Sequence, residues 1–218
     1  MTRKGFDFAL EQLNDDIIRM GSIVEKQIHQ SIEALVQKDI NLAEQIIAND
    51  DLVDNFEKEI ENKCIRLIGK EQPLAIDLRT IFTCSKIITD LERIADHAVD
   101  VAKVVKRLKN ENYIKELIDI PKMASLVEVM IKQALDAFVE GNVKASLDIC
   151  KLDDEVDGYY KKIFRDLLEL MTKDNSTINQ GTQFLFVAKN LERVADHVTN
   201  ICEWTVYLVT GELVDLND

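Results

Sequence analysis

The sequence contains few residues that break regular structure, with only 7 glycines and 2 prolines among 218 residues. A β-rich fold needs turns at short intervals, and these two residue types build many of them, so the shortage argues against a sandwich or a barrel. Leu, Ile, Ala, Glu, Lys and Asp dominate instead, and the apolar residues recur at helical spacing. The composition therefore predicts an all-α protein.

Long apolar runs are also missing, since no stretch approaches the roughly 20 residues of a membrane-spanning helix. The start, MTRKGFDFALEQLNDD, turns acidic where a secretion signal would be apolar. With 40 acidic against 27 basic residues, the formal net charge is -13. Such a surface repels phosphate backbones and anionic headgroups, and it attracts cations and basic protein surfaces. We expect a cytoplasmic protein that binds no nucleic acid and does not insert into a membrane.

The sequence motifs of catalysis are absent as well. There is no Gly-rich phosphate loop, no nucleophile elbow and no Cys/His arrangement at helical spacing. A di-iron oxidase would carry Glu-x-x-His on core-facing helix positions, and that motif does not occur. Four cysteines lie far apart, which predicts buried reduced thiols and no zinc site: Cys64, Cys84, Cys150 and Cys202. We expect no enzymatic activity.

One seven-residue phrase occurs twice, as LERIADH at 91–97 and as LERVADH at 191–197. The flanking residues align at the same offset of 100, and residues further upstream align at an offset of 103. A loop around GKEQPLAID can absorb the three extra residues. A repeat of this length is the size of a domain, so the sequence predicts a duplicated domain rather than a solenoid. We place the two domains at 1–112 and 113–218.

Each half divides into three helical stretches. They are predicted at roughly 8–37, 40–69 and 74–109, and at roughly 120–140, 142–173 and 178–210. Asp39 is a candidate N-cap, and Gly141 lies where a helix should end. Short connections between long helices force antiparallel neighbours. The predicted architecture is therefore two tandem, pseudo-symmetric antiparallel three-helix bundles.

Acidic residues form a row on the third helix of each half. Glu92, Asp96 and Asp100 follow one another at about one turn each, on the side opposite the apolar stripe. The same row recurs in the second half at Glu192, Asp196 and Asn200. The second helix of each half adds a further acidic group, which comprises Asp50, Asp51 and Asp54 and then Asp153, Asp154 and Asp157.

Two interpretations of these acidic rows remain open. Like charges at this spacing destabilise a helix by a few tenths of a kcal/mol per pair, and a bound cation would reverse that sign. Hard ions that prefer oxygen ligands would suit the rows, namely Mg²⁺, Mn²⁺, Ca²⁺ or oxo-bridged iron. Alternatively, the rows are solvated helix faces on which Arg93 and Arg193 pair with Asp96 and Asp196.

His97 and His197 directly follow the aspartates of the repeated phrase and lie at the edge of the apolar stripe. Each histidine could make a structural hydrogen bond, or it could support the ligands of a metal site. Arg93 and Arg193 are candidates for the same supporting role. His29 has no counterpart in the second half, and we assign it no function.

With these residues in hand, the sequence resembles the PhoU family of bacterial regulators of phosphate uptake and phosphate signalling. QPLAIDLRTI at 72–81 and KIITDLERIADHAVDVA at 86–102 are similar to the first signature of the family. FVAKNLERVADHVTNICEWTVYLVTGE at 186–212 is similar to its second signature. The resemblance runs over essentially the whole chain, and it implies a tandem pair of three-helix bundles.

The resemblance also implies metal binding through repeated motifs written E(D)-x-x-x-D. Carried over by position, the implied ligands are Glu92, Asp96 and Asp100 in one half and Glu192 and Asp196 in the other. Asn200 stands where a third carboxylate would complete the second row. From the neighbouring helix we add Asp51, Asp54, Asp154 and Asp157. The implied cofactor is an iron cluster or divalent cations such as Mg²⁺, Mn²⁺ or Zn²⁺.

In function, the resemblance implies a cytoplasmic negative regulator without catalysis, which forms a homodimer. Such a protein connects the ATPase subunit of the phosphate ABC transporter to a sensor histidine kinase. It suppresses phosphate-starvation genes when phosphate is plentiful. Two alternatives stay open: an accessory regulator of another phosphate or cation transporter, and a helical metal-storage protein.

Overall fold

The structure, a computed structural model, describes residues 3–71 and 73–216. Within these residues the chain is helical with no β-strand, which confirms the all-α prediction. The seven α-helices are α1 (Arg3–Gln37), α2 (Ile40–Ala48), α3 (Asp50–Glu71), α4 (Ala75–Arg107), α5 (Asp119–Glu140), α6 (Val143–Lys173) and α7 (Ile178–Thr210). A short 3₁₀ turn, Asn175–Thr177, joins α6 to α7. None of these helices combines the length and the apolarity that crossing a membrane requires.

Local sequence signals fix several helix ends. The Asp39 carboxylate accepts a hydrogen bond from the Leu42 backbone N–H at 3.0 Å, which makes Asp39 the predicted N-cap of α2. α5 ends at Gly141, which adopts a left-handed φ of 61°. Asn142 then caps α6 by accepting from the Ala145 backbone N–H at 3.0 Å.

The second helical stretch of the first half is broken, which differs from the continuous helix predicted at 40–69. α2 ends at Ala48, Asn49 has φ -95° and ψ 10°, and α3 begins at Asp50. In the second half the equivalent position is Leu152, and α6 passes through it without a break. Leucine favours a helix interior, whereas an asparagine side chain competes for backbone hydrogen bonds, which accounts for the difference. The break places Asp50 in the first turn of a new helix.

The two bundles pack against each other through a common hydrophobic core. α1 packs on α2, α3 and α4, while α5 packs on α6 and α7. Between the halves, α4 packs against α7 and α1 packs against α5, so these four helices form the centre of the molecule. Buried residues from both halves belong to one cluster. The division at 112/113 falls in the linker after α4 and stays a prediction, because one core spans both sides of it.

Close approach of α1 and α5 depends on Gly21. A Cβ atom at this position would lie 2.2 Å from Leu135 Cδ1, so the leucine side chain occupies the space that any larger residue would need. The linker between the halves is fixed as well, since Tyr113 Oη donates to the Leu35 carbonyl at 2.6 Å and its ring packs edge-on against Phe184. These contacts hold the two bundles in one arrangement.

All four cysteines are free thiols. Cys64, Cys84 and Cys202 are buried as predicted, whereas Cys150 is only partly buried. Burial raises the pKa of the Cys64 thiol to about 11. This thiol is therefore protonated at neutral pH.

Candidate metal centres

In the first bundle, the acidic row of α4 faces the start of α3. Burial raises the pKa of Asp50, and the nearby carboxylates of Asp96 and Asp54 raise it further. The pKa of Glu92 is raised by burial and by Asp96, with smaller contributions from Glu57 and Asp54 that the Arg93 guanidinium partly offsets. Carboxylates from the two helices therefore repel one another. We call Asp50, Asp54, Glu92 and Asp96 the first acidic cluster.

The row is less exposed than the sequence predicts. The Glu92 side chain is 15% exposed, and the side chains of Asp96 and Asp100 are 41% and 36% exposed. Arg93 pairs with both neighbours, at 3.3 Å to Glu92 and 3.3 Å to Asp96, and Lys103 pairs with Asp100 at 2.9 Å. The local pairing expected for Arg93 is therefore confirmed.

The second bundle repeats this arrangement with α6 and α7. We call Asp153, Asp157, Glu192 and Asp196 the second acidic cluster. Burial raises the pKa of Asp153 to about 6, and Asp196, Asp157 and Glu192 contribute in that order. Asp153 Oδ1 is buried and has no hydrogen-bond partner. The pKa of Asp196 is raised by burial and then by Glu192.

Local cations differ between the clusters. In the second acidic cluster Lys189, not Arg193, pairs with Glu192, and Lys161 pairs with Asp157 at 2.8 Å. Among the described residues no ion pair joins Arg193 to Asp196, so the pairing predicted there is wrong. Asn200, which replaces the third carboxylate, donates from Nδ2 to Asp90 Oδ1 at 3.1 Å. One donor of this amide is thus directed toward α4 and away from the second acidic cluster.

The predicted ligands on the neighbouring helices include Asp51 and Asp154 but not the adjacent Asp50 and Asp153. Asp51 and Asp154 are exposed, whereas Asp50 and Asp153 are partly buried and interact with the rows on α4 and α7. A signal was present, because Asp50-x-x-x-Asp54 and Asp153-x-x-x-Asp157 have the same spacing as Glu92-x-x-x-Asp96. Asp54 and Asp157, which the sequence did select, belong to the clusters.

The two histidines make hydrogen bonds between the bundles. His97 Nδ1 lies 2.8 Å from Asn190 Oδ1, and His197 Nδ1 lies 2.9 Å from Asp90 Oδ1. Since Asn190 Nδ2 donates to the Phe186 carbonyl, its Oδ1 accepts, and His97 Nδ1 is the donor. Burial lowers the pKa of His97 to about 4, which keeps the ring neutral. These bonds join α4 to α7 in antiparallel register and do not reach the acidic rows.

The chemistry of both clusters suits a hard cation. The donors are carboxylate oxygens, which Mg²⁺, Mn²⁺ and Ca²⁺ prefer and which oxo-bridged iron accepts, whereas Zn²⁺ favours nitrogen and sulfur. The unpartnered oxygen of Asp153 and the mutually raised pKa values are features that a cation would relieve. Across residues 3–71 and 73–216, no three His, Cys, Asp or Glu side chains already surround a point that could hold a metal ion. A metal ion would compete for these carboxylates with Arg93 in the first cluster and with Lys189 and Lys161 in the second.

Comparison with known proteins gives consistent matches along the whole chain. The PhoU domain model matches twice, at residues 17–105 and 120–205. A phosphate-specific transport system accessory protein PhoU homolog of Clostridium acetobutylicum is 54% identical, with 100% of both chains covered. A homolog of the same name from Caulobacter vibrioides is 39% identical over 97% of this chain and 92% of its own.

Solved structures agree with these sequence matches. The crystal structure of the phosphate transport system regulatory protein PhoU from Streptococcus pneumoniae superposes with a TM-score of 0.90 at 35% identity, covering 96% of this chain and 99% of that one. PhoU from Pseudomonas aeruginosa gives a TM-score of 0.90 at 35% identity, covering 95% and 100%. The family consists of regulatory accessory proteins and not of enzymes. By its two PhoU domains, its full-length relatives and its fold, the chain belongs to the PhoU family.

Proposed function

We propose that this protein is a cytoplasmic negative regulator of phosphate uptake and phosphate-starvation signalling. In this proposal it acts as a homodimeric adaptor between the ATPase subunit of the phosphate ABC transporter and a sensor histidine kinase. The observation that carries the proposal is the full-length match to relatives named as accessory proteins of phosphate-specific transport. The absence of catalytic sequence motifs is consistent with a protein that works through binding.

Metal binding is the second part of the proposal. Glu92, Asp96, Asp50 and Asp54 would hold a metal in the first acidic cluster, and Glu192, Asp196, Asp153 and Asp157 would hold one in the second. A hard cation there would supply positive charge that offsets the repulsion between these carboxylates. Asp153 Oδ1, buried and unpartnered, is the atom that gains most from such an ion.

The charge of the chain supports binding to basic partner surfaces. A net charge of -13 on a rigid helical scaffold favours fast association with a basic protein face. Interactions between exposed charges are screened at high ionic strength. We therefore expect binding to the transporter ATPase to weaken as salt is raised.

A reporter assay and a pull-down test this function together. A strain that lacks the protein should express phosphate-starvation genes in phosphate-rich medium, and the full chain supplied in trans should restore repression. The purified chain should retain the transporter ATPase and the kinase. Starvation genes that stay repressed without the protein, or retention of another transporter's ATPase in place of this one, would contradict the proposal.

A double variant separates the metal from the adaptor role. Asp96→Asn together with Asp196→Asn removes one carboxylate from each cluster, and Asp51→Asn together with Asp154→Asn removes two exposed aspartates as a matched control. If the metal takes part in regulation, only the first pair of substitutions should reduce repression. Metal loss with repression and pull-down unchanged would mean that the metal has a structural role alone.

A further inference from the structure

An open groove runs along the outside of the first bundle, between the C-terminal half of α3 and the N-terminal half of α4. Its cavity volume is about 520 Å³. Ile65 and Ile68 line one wall and Leu78 and Phe82 line the other, and all four side chains are between 41% and 60% exposed. Apolar residues at helical spacing on two adjacent helices form the kind of surface on which another helix packs.

The far edge of the groove is aromatic and belongs to α7. Tyr207 lines the cavity, and the rings of Phe82 and Tyr207 lie 6.4 Å apart in an edge-on arrangement. Trp204 packs edge-on against Phe82 at 5.9 Å. The walls thus belong to the first half, and the second half contributes the aromatic edge. Large rigid aromatic side chains of this kind dominate the energetics of many protein interfaces.

In the second half, a side chain of the protein itself occupies the position that corresponds to one end of the groove. Met171 is the repeat counterpart of Ile68, and Gly181 is the counterpart of Ile81. A Cβ atom on Gly181 would lie 2.8 Å from both Cγ and Sδ of Met171, so the methionine side chain lies flat on α7 at this point. In the first half, Ile81 is buried and Ile68 stays 41% exposed. The two halves thus differ at this position, whereas Leu168 and Ile178, the counterparts of Ile65 and Leu78, are 49% and 45% exposed.

Two cations lie at the aromatic edge of the groove, in a chain that is otherwise strongly acidic. Arg79 Cζ lies 5.7 Å from the centre of the Tyr207 ring, and Lys86 Nζ lies 5.4 Å from that of Phe82. The Arg79 guanidinium also lies against the backbone at Gly211, where a Cβ would be 2.8 Å from Nη1. Aromatic rings and backbone therefore hold both cations at the edge of the groove.

Two more cations, Arg66 and Lys70, are exposed on the other side of α3, where they line a neighbouring cavity. Within the described part of the chain, no carboxylate lies at ion-pair distance from Arg66, Lys70, Arg79 or Lys86. Glu61 is the acidic residue among those lining the groove. Arg66 and Lys70 do not line the groove, so the charge at its edge comes from Arg79 and Lys86. An apolar floor with two unpaired cations at one edge is complementary to an apolar helix face flanked by Asp and Glu.

We propose that this groove binds an acidic amphipathic helix of a partner protein, with its apolar face on Ile65, Ile68 and Phe82. The proposal deepens the adaptor function and rests on it, because it specifies the surface through which one partner is held. A concave site between two helices fits a cylinder about 10 Å across. A membrane surface requires apolar side chains that protrude, so a lipid bilayer is the poorer occupant of this groove.

Binding can be measured with the full-length protein and a synthetic probe. The probe is a helical peptide of about 18 residues, with leucine at positions i, i+3, i+4 and i+7 and glutamate on the flanks, and without tryptophan or tyrosine. Trp204 is the only tryptophan of the chain and contacts Phe82, so its emission should shift when the peptide binds. A companion peptide with lysine in place of glutamate should bind at least about ten-fold more weakly, by like-charge repulsion.

Two matched variants locate the site. Ile65→Glu places a charge in the groove wall and should weaken binding of the acidic peptide about ten-fold or more. Leu168→Glu makes the same charge change at the repeat counterpart, which is 49% exposed, and should leave the affinity unchanged. Circular dichroism and size-exclusion chromatography verify that both variants remain folded.

Several outcomes would overturn the groove proposal. They are absence of acidic-peptide binding, equal binding of both peptides, and equal loss in the two variants. Vesicles of phosphatidylglycerol that shift Trp204 emission when the peptide does not would identify a membrane site instead. If Ile65→Glu abolishes peptide binding but pull-down of both the ATPase and the kinase is intact, the groove proposal fails and the adaptor proposal stands. If the peptide binds in the groove but neither the ATPase nor the kinase is retained in the pull-down, the adaptor proposal fails and the groove remains a helix-binding site.

Discussion

Replacing Asp153 by asparagine removes the most strongly perturbed carboxylate of the second acidic cluster. Its pKa is raised from 3.8 to about 6, first by burial and then by Asp196, Asp157 and Glu192. Its Oδ1 atom has no partner. At neutral pH and without a metal, this carboxylate is therefore ionised in surroundings that disfavour its charge. The variant Asp153→Asn keeps the shape of the side chain and removes that charge.

The size and sign of the effect follow from the raised pKa. The folded state holds this proton more tightly than the unfolded state, so the stabilisation is fully present below pH 3.8 and is lost as the pH rises through about 6. Since each pKa unit corresponds to about 1.4 kcal/mol, the rise in the Asp153 pKa from 3.8 to about 6 limits the gain in the free energy of unfolding to about 3 kcal/mol. Because Asp153 is partly exposed, solvent screening reduces this to about 1 to 2 kcal/mol. In a chain of this size the gain corresponds to a Tm increase of about 2 to 8 °C.

Thermal and urea unfolding in the presence of a chelator measure this difference. At pH 7.5 we expect Asp153→Asn to be more stable than the parent protein, and at pH 3.5 we expect the two to be equal. The adjacent exposed residue supplies the control, since Asp154→Asn should change the free energy of unfolding by less than about 0.5 kcal/mol. The reasoning is refuted if Asp153→Asn is equal to or less stable than the parent at pH 7.5, or if its advantage persists at pH 3.5.

Three further predictions concern the packing of the two bundles. Gly21→Ala should lower the free energy of unfolding by about 1 to 2 kcal/mol, because its Cβ would meet Leu135. Gly158→Ala, where a Cβ meets nothing within 4 Å, should raise the free energy of unfolding by about 0.5 to 1 kcal/mol. Urea unfolding that ranks the two variants the other way would contradict this. The His97 ring should remain neutral down to a pH of about 4, so an NMR titration that shows it protonated at pH 6 would contradict its burial. Asp90→Asn should lower the free energy of unfolding by about 1 to 2 kcal/mol, because the buried carboxylate accepts hydrogen bonds from two groups of α7. Urea unfolding measures this loss, and an unchanged stability would show that these hydrogen bonds are not stabilising.

Helical periodicity and end signals were sufficient to predict most of the helices. The apolar stripe of each repeat fixed where the long helices lie, and Asp39 and Gly141 marked ends that the structure confirms. The break at Asn49 was missed because the apolar period continues across it. Comparison of the two halves at this position, where the second has leucine, would have indicated the break.

Packing between the halves could not be predicted from periodicity, because a buried stripe does not identify what covers it. On α4 the buried positions extend beyond one stripe to Val99 and Val104, as expected for a helix that packs on α7 as well as on α1, α2 and α3. The same limit applies to His97 and His197. Their sequence position allowed either a structural bond or support of a metal, and only the fold shows that their partners are on the opposite bundle.

The acidic clusters show a related limit at shorter range. Spacing placed the carboxylates on one side of each helix but did not identify which aspartates of the neighbouring helix face them. A one-residue difference, Asp50 against Asp51, turns a side chain by about 100° around the helix axis. That rotation separates a partly buried aspartate from an exposed one.

We propose that each bundle carries a carboxylate cluster that binds a metal ion. Elemental analysis of protein purified without chelator, combined with calorimetric titration of the metal-free chain with Mn²⁺, Mg²⁺ and Fe²⁺, tests it most directly. We expect bound metal in the parent protein, a reduced content in Asp96→Asn and in Asp196→Asn, and an unchanged content in Asp154→Asn. A parent protein that contains no metal and gives no binding heat with any of these ions would contradict the claim.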